Sequence, residues 1–446
     1  MVRAAEALDP SRYGVELVER RARACVWGLG HIGAETLRRL ARAGVPVTGF
    51  DLDKARVEAV AAESGSLDAD LTVTAHRARA TAPDVLVHFV AVPTEREGEP
   101  FNVHVRGVIA AVARSVAGRR GPAPLVIVES TLTPGTTAGM LVPACEALGV
   151  AVDEVLLLAL APRRDWLVAP ELTERVDRVF GGAGPRSAAA ARSVLSLLHD
   201  RLHEASSHEV TELVKCAENA SRHLQIMLAN QLTLAYPDVD VAEALALAGT
   251  KWNVEAVHPS FGTGGYCIPL SSKYLLLGAA RPEELSLLAD ALETDARMRS
   301  IVAARVRGKR RVAILGLAYR PKIKVATLSP TLAIARQLRE LGVPHTVHDP
   351  LYSPGEVAEL CGQAPSEGFP ESLREADAVL VATEHPAFRS DAVREALLAP
   401  RPEPLLVLDS PGLLADWRWP STVDYFRVGA PNWLDGAGTE AHVGYR

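Results

Sequence analysis

The chain has 446 residues, 48% of them hydrophobic and 23% charged, which is enough for two or three domains with cores of their own. A net charge of −6 argues against nucleic acid or an anionic membrane surface as a partner. The five cysteines (Cys25, Cys145, Cys216, Cys267 and Cys361) are odd in number, scattered and without metal-ligand spacing, so they read as reduced thiols of a cytoplasmic protein with no metal site.

In chain order, residues 1–20 read as a polar lead-in carrying one short helix. Glu6, Asp9, Arg12, Glu16, Glu19 and Arg20 interrupt any secretory leader there. Residues 24–29 form a buried-type strand, and Gly28-Leu-Gly30-His31-Ile32-Gly33 turns it into a helix over 34–43. Strands follow at 45–50, closing on Asp51, at 84–92, closing on Pro93-Thr94, and at 125–129, closing on Ser130-Thr131. Further strands are expected at 155–160 and 178–181. Strands alternating with helices imply a parallel sheet covered on both faces. No apolar run, 155–161 included, is long enough to span a bilayer.

From about Ser207 the apolar period becomes helical, and it runs over 210–236 without Pro or Gly. That length suits a spine between two domains and suggests a homodimer. A second strand-and-turn unit opens at 311–316 and continues with strands at 343–348, 378–382 and 405–408. The tail from Trp417 has no assigned role. The fold class is α/β: two Rossmann-like doubly wound domains joined by a long central helix. The expected division is a lead-in at 1–20, a first α/β domain at 21–206, a central helical, dimerising domain at 207–300 and a second α/β domain at 301–446.

The glycine triplet follows a strand and opens a helix, where Gly28 makes the turn, Gly30 admits a pyrophosphate and Gly33 lets the helix pack. The helix start at His31 and Ile32 offers free N–H groups to phosphates. Asp51, 18 residues after Gly33, can accept both ribose hydroxyls and repels a 2′-phosphate, so the expected cofactor is NAD. The later Gly316-Leu-Ala-Tyr-Arg-Pro lacks the full glycine set and is not expected to hold a dinucleotide.

Several motifs in one order then carry a resemblance. They are Val90-Ala-Val92-Pro93-Thr94, Glu129-Ser130-Thr131, Glu212-Leu-Val-Lys215-Cys-Ala-Glu-Asn219, Phe261-Gly-Thr-Gly264-Gly-Tyr-Cys267-Ile-Pro and Leu315-Gly-Leu-Ala-Tyr-Arg-Pro321. With these the chain resembles the UDP-glucose/GDP-mannose dehydrogenase family, most closely its bacterial UDP-N-acetylmannosamine branch. The resemblance implies an NAD-dependent oxidation of a nucleotide-linked sugar, typically C6 alcohol to carboxylate with two NAD. It implies Cys267 as nucleophile, Lys215 and Asn219 at the reacting oxygen, Thr131 positioning a water, and Val92, Pro93, Thr94 and Ser130 lining the NAD. Arg222, Phe261, Gly264 and Lys324 become candidate substrate contacts.

The departures from that pattern point to different chemistry. Where the family has Pro-Glu this chain has Pro162-Arg163-Arg164, four residues after the nucleophile Ser271 replaces Asp, and Thr327 stands where an Arg binds the nucleotide sugar. Thioester hydrolysis needs a general base, and a guanidinium cannot serve as one. Arg163 or Arg164 instead suits a carboxylate held by two hydrogen bonds. The expectation is a single two-electron oxidation of a ring hydroxyl on an acidic sugar. The alternatives are the four-electron reaction, with Asp165 or a nearby Glu as base, a non-catalytic nucleotide-sugar binding protein, and a β-hydroxyacid dehydrogenase.

Overall fold

The computed structural model describes residues 8–65, 70–116, 121–164, 176–363 and 368–435. They fall into two compact units. One is Met1–Glu218 with Lys273–Pro282, and the other is Asn219–Ser272 with Glu283–Arg446.

The first unit is built on an eight-stranded sheet. From one edge its strands are Leu202–Glu204, Arg178–Gly182, Leu157–Leu160, Leu125–Val128, Val85–Val90, Arg23–Trp27, Val47–Phe50 and Leu71–Thr74. All six residues of Val85–Val90 are buried, His88 among them, as expected when helices cover both faces of a strand. The expected all-parallel arrangement fails at one pairing. Ala159 and Leu160 run antiparallel to Gly182 and Gly181. Strand order reverses between Arg23–Trp27 and Val85–Val90, and the glycine turn lies at that switch point, where ligands of such sheets bind.

The N-terminal segment is more than a lead-in. The helix Tyr13–Val18 buries Tyr13 and Leu17 in the core of this unit, and the Tyr13 hydroxyl donates to the Ala123 carbonyl at 2.6 Å.

The second unit carries a parallel five-stranded sheet in the order His345–His348, Val312–Leu315, Ala378–Val381, Leu405–Asp409 and Val423–Arg427. Its last strand comes from the unassigned tail, which also buries Trp433 in the core. The helix Pro330–Glu340 starts where Ser329 accepts from the Thr331 N–H and Pro occupies the first turn. The long helix is His208–Ala235, 28 residues, and the division between the units falls inside it after Glu218.

Candidate active site

The first unit shapes a cofactor seat. Gly28 has φ +86, and a side chain there would meet the Ala91 carbonyl oxygen at 2.7 Å. A Cβ on Gly33 would lie 1.8 Å from the Gly28 oxygen, so only glycine lets the helix His31–Arg42 close on the turn. Gly30 caps that helix, and a Cβ there meets nothing within 4 Å, which leaves an open cradle at the helix start where His31 and Ile32 begin the first turn. Asp51 accepts from Leu29 N at 2.7 Å and from Asp53 N at 2.9 Å, one bond per oxygen, so each oxygen keeps an acceptor for a ribose hydroxyl. A cavity of about 730 Å³ is lined by Gly28, Asp51, Leu52, Arg77, Val92 and Pro93, within the size of small-molecule sites. These residues fit NAD. Thr94 is set by Tyr274, whose hydroxyl lies 2.7 Å from its carbonyl, and Ser130 donates to the Val92 carbonyl at 2.7 Å.

Beside that seat the long helix presents Lys215, whose side chain is 12% exposed. Its Nζ lies 3.9 Å from Glu218, which forms an ion pair with Arg164 at 2.7 Å, so one carboxylate joins the two cations. Glu212, one turn earlier, is buried and accepts from Gly135 N at 2.6 Å, Thr137 N at 2.8 Å and Thr137 Oγ1 at 2.7 Å. Cys216 donates to the Leu132 carbonyl at 3.4 Å. Together they pin the loop that carries half-buried Thr131 against the helix.

Arg163 departs from its expected place. It is 6% exposed, donates to Thr36 Oγ1 at 2.7 Å and lies 3.5 Å from Glu129, which also receives Arg178 at 2.7 Å and the Thr36 hydroxyl at 2.5 Å. Burial lowers the Arg163 pKa, while the Glu129 charge opposes that shift. A guanidinium shared with an interior carboxylate is not placed to grip a substrate, so Arg164 is the arginine beside Lys215. Asp165 lies outside the described residues.

The second unit holds the cysteine loop. Cys267 is exposed and directly precedes the helix Ile268–Gly278. Ser271, 1% exposed, donates to the Cys267 carbonyl at 2.8 Å and accepts from Asn219 Nδ2 at 3.0 Å. The loop upstream is tied down by Asp295, which accepts from Thr263 N at 2.7 Å and from Arg299 at 2.7 Å. Gly265 donates to the Thr327 carbonyl at 2.8 Å. Side chains on Gly264 or Gly265 would meet Tyr319 at 3.0–3.1 Å, so that ring closes over the glycine pair.

Other expected contacts land differently. Phe261 is 1% exposed and packs with Met298, Ile301 and Val302, so its ring belongs to the core and not to a ligand surface. Arg222 pairs with Glu255 at 2.9 Å, and exposed Lys324 pairs with Glu356 at 2.5 Å. The second turn has its N–H groups filled from within, because Asp349 accepts from Leu317 at 2.7 Å and Ala318 at 2.8 Å. Glu212 and Glu218 were missed from sequence, although both stand three residues from Lys215 at helical spacing. Tyr274 carried no local signal, and Tyr319 stands inside a motif of the resemblance that gave it no role.

The NAD binding domain of the UDP-glucose/GDP-mannose dehydrogenase family matches residues 22–196, its central domain 209–297 and its UDP binding domain 313–414. The chain belongs to the UDP-glucose/GDP-mannose dehydrogenase family. Its relatives include the UDP-N-acetyl-D-mannosamine dehydrogenase of Pyrococcus horikoshii, 28% identical over 82% of this chain and 90% of that one. The Escherichia coli K12 protein of that name is 27% identical over 82% and 94%. A solved structure of the Pyrococcus UDP-D-ManNAc dehydrogenase superposes with TM-score 0.78 at 25% identity, covering 92% and 100%. As a member of the UDP-glucose/GDP-mannose dehydrogenase family the chain is an NAD-dependent sugar dehydrogenase. Among the described residues no helix is long and apolar enough to cross a membrane.

Proposed function

We propose that the protein oxidises a ring hydroxyl to a ketone, in one two-electron step, on an acidic pyranose linked to a nucleotide or nucleoside. The observation that supports this is the use made of the two positions where the family pattern has acids. Arg163 is committed to Glu129, and Ser271 to Asn219 and the Cys267 carbonyl. Neither residue can draw a proton from the water that a thioester hydrolysis needs.

In this reading Lys215 stands at the reacting oxygen and stabilises it as negative charge develops. Asn219, its amide nitrogen held by Ser271, turns its carbonyl to the same hydroxyl. Arg164 receives the sugar carboxylate as a partner competing with Glu218. Thr131 positions the polar edge of the sugar, Gly264 gives the chain close approach, and Cys267 contacts the substrate without forming a thioester. NAD, when bound, supplies the hydride acceptor.

A second reading is favoured by the exposure of Cys267, namely C6 oxidation to the acid through a Cys267 thioester. The test is NADH formed per sugar consumed, over neutral nucleotide sugars and uronic acids, with the mass of each product. One NADH and loss of two hydrogens supports the first reading. Two NADH and a gain of oxygen, lost in Cys267→Ala, supports the second.

We also propose a homodimer. Leu228, Tyr236, Leu247 and Trp252 of the second unit are 55%, 56%, 63% and 92% exposed, a set of large apolar groups that a second copy would cover. Molecular mass in solution tests it.

A further inference from the structure

A small cavity lies against the helix of Lys215, lined by Ser130, Thr211, Glu212 and Lys215 with Leu132 and Leu160. Its volume is about 10 Å³, the room that one water needs, and four of its seven lining residues, which also include Pro162, carry polar side chains. Glu212 has an acceptor to spare. Its two oxygens offer about four lone-pair sites, and Gly135 N, Thr137 N and Thr137 Oγ1 fill three of them. The fourth belongs to the oxygen that holds only Gly135 N. Lys215, on the same wall, is an ammonium with three donors, and among the described residues its ion pair is the 3.9 Å approach to Glu218.

We propose that one water occupies this cavity and links Lys215 to the open acceptor of Glu212, and that Glu212 receives the proton released when the substrate hydroxyl is oxidised. The inference rests on the reading that places Lys215 at the reacting oxygen, and it holds for either product. Oxidation of a CH–OH group gives up a hydride, taken by NAD, and a proton. The proton passes from the hydroxyl to Lys215 while Lys215 gives one of its own through the water to Glu212. Lys215 ends the step as charged as it began, and Glu212 ends as a neutral acid. Burial pushes the Glu212 pKa up, against its three hydrogen bonds, which suits a carboxylate that must take up a proton. Glu212 never touches the substrate in this scheme.

Two measurements test it. A crystal structure of the wild-type enzyme that resolves waters should place one between Lys215 Nζ and Glu212, and a dry cavity overturns the proposal. The second is the pH dependence of kcat on whichever sugar yields NADH. The wild type should lose activity on the acid side at a pH above the ordinary carboxylate range. Glu212→Gln should remove that acid limb and lower kcat by about 100-fold, with the NAD affinity kept. Glu212→Asp should restore the limb in part. A Glu212→Gln enzyme that keeps the wild-type acid limb overturns the relay. The identity of the product, ketone or acid, decides the proposed reaction separately, so either idea can fail without the other.

Discussion

The Asn219 carboxamide donates to the Ser271 hydroxyl at 3.0 Å, and that hydroxyl donates in turn to the Cys267 carbonyl at 2.8 Å. A single neutral side chain therefore orients the Asn219 amide and closes the first turn after the cysteine. An acid at this position would offer Asn219 a charged acceptor and could serve as a base. Serine keeps the orienting role and gives up the proton chemistry.

Ser271→Ala should accordingly lower kcat. The Asn219 amide loses a buried acceptor worth about 1 kcal/mol, or roughly five- to tenfold in rate if that orientation matters in the transition state. KM for NAD should not change, since the cofactor seat is built from other residues. Steady-state kinetics of the variant check this, and an unchanged kcat refutes the orienting role.

The neighbouring arginines should separate cleanly. Arg163→Ala leaves Glu129 with one cation fewer in the interior and should destabilise the protein by about 3 kcal/mol, read as a lower urea midpoint. Arg164→Ala removes a partly exposed pair and should change stability by less than about 1 kcal/mol. The Arg164 variant should instead raise KM for an acidic sugar roughly tenfold more than for a neutral one, the scale of a lost charged hydrogen bond. Equal effects on both sugars would remove Arg164 from substrate binding.

The fingerprint glycines should also divide. Gly33→Ala forces a methyl group to 1.8 Å from a backbone oxygen, so the domain should fold poorly. Gly30→Ala has open space and an ordinary φ of −62, so its melting temperature should match the wild type while NAD binding weakens. Thermal melts and NAD titrations of both variants read this directly.

Acid should destabilise the second unit through His348. Burial lowers its pKa from 6.5 to about 4. Below about 6.5 the unfolded chain takes a proton that the folded state refuses, so stability falls as pH drops and stops falling below about 4. The effect reaches up to about 3 kcal/mol by that point. Urea midpoints at pH 7 and pH 4.5 should differ less in His348→Gln than in the wild type.

Much of the fold was legible in sequence because its signals are local. Each strand of 4–6 buried residues ends within a few positions of the glycine, acid or hydroxyl that closes it, so the NAD turn, Asp51 and the Lys215–Asn219 helix could be placed from spacing. The tail strand Val423–Arg427 and the antiparallel pair at Gly181–Gly182 were not legible, because pairing partners are chosen by distant segments.

The sequence by itself determined the family, the cofactor and the loss of two acids, since each rests on residue identity at a fixed spacing. Only the tertiary structure decided where the replacements point. Arg163 turns inward because Glu129 and Thr36, 34 and 127 residues away in the chain, meet it in the core, where a buried carboxylate left without a paired cation would be strongly destabilising. Ser271 meets Asn219 across 52 residues for the same kind of reason. A buried amide takes the acceptor that packing brings within reach, and no local pattern records which one that is.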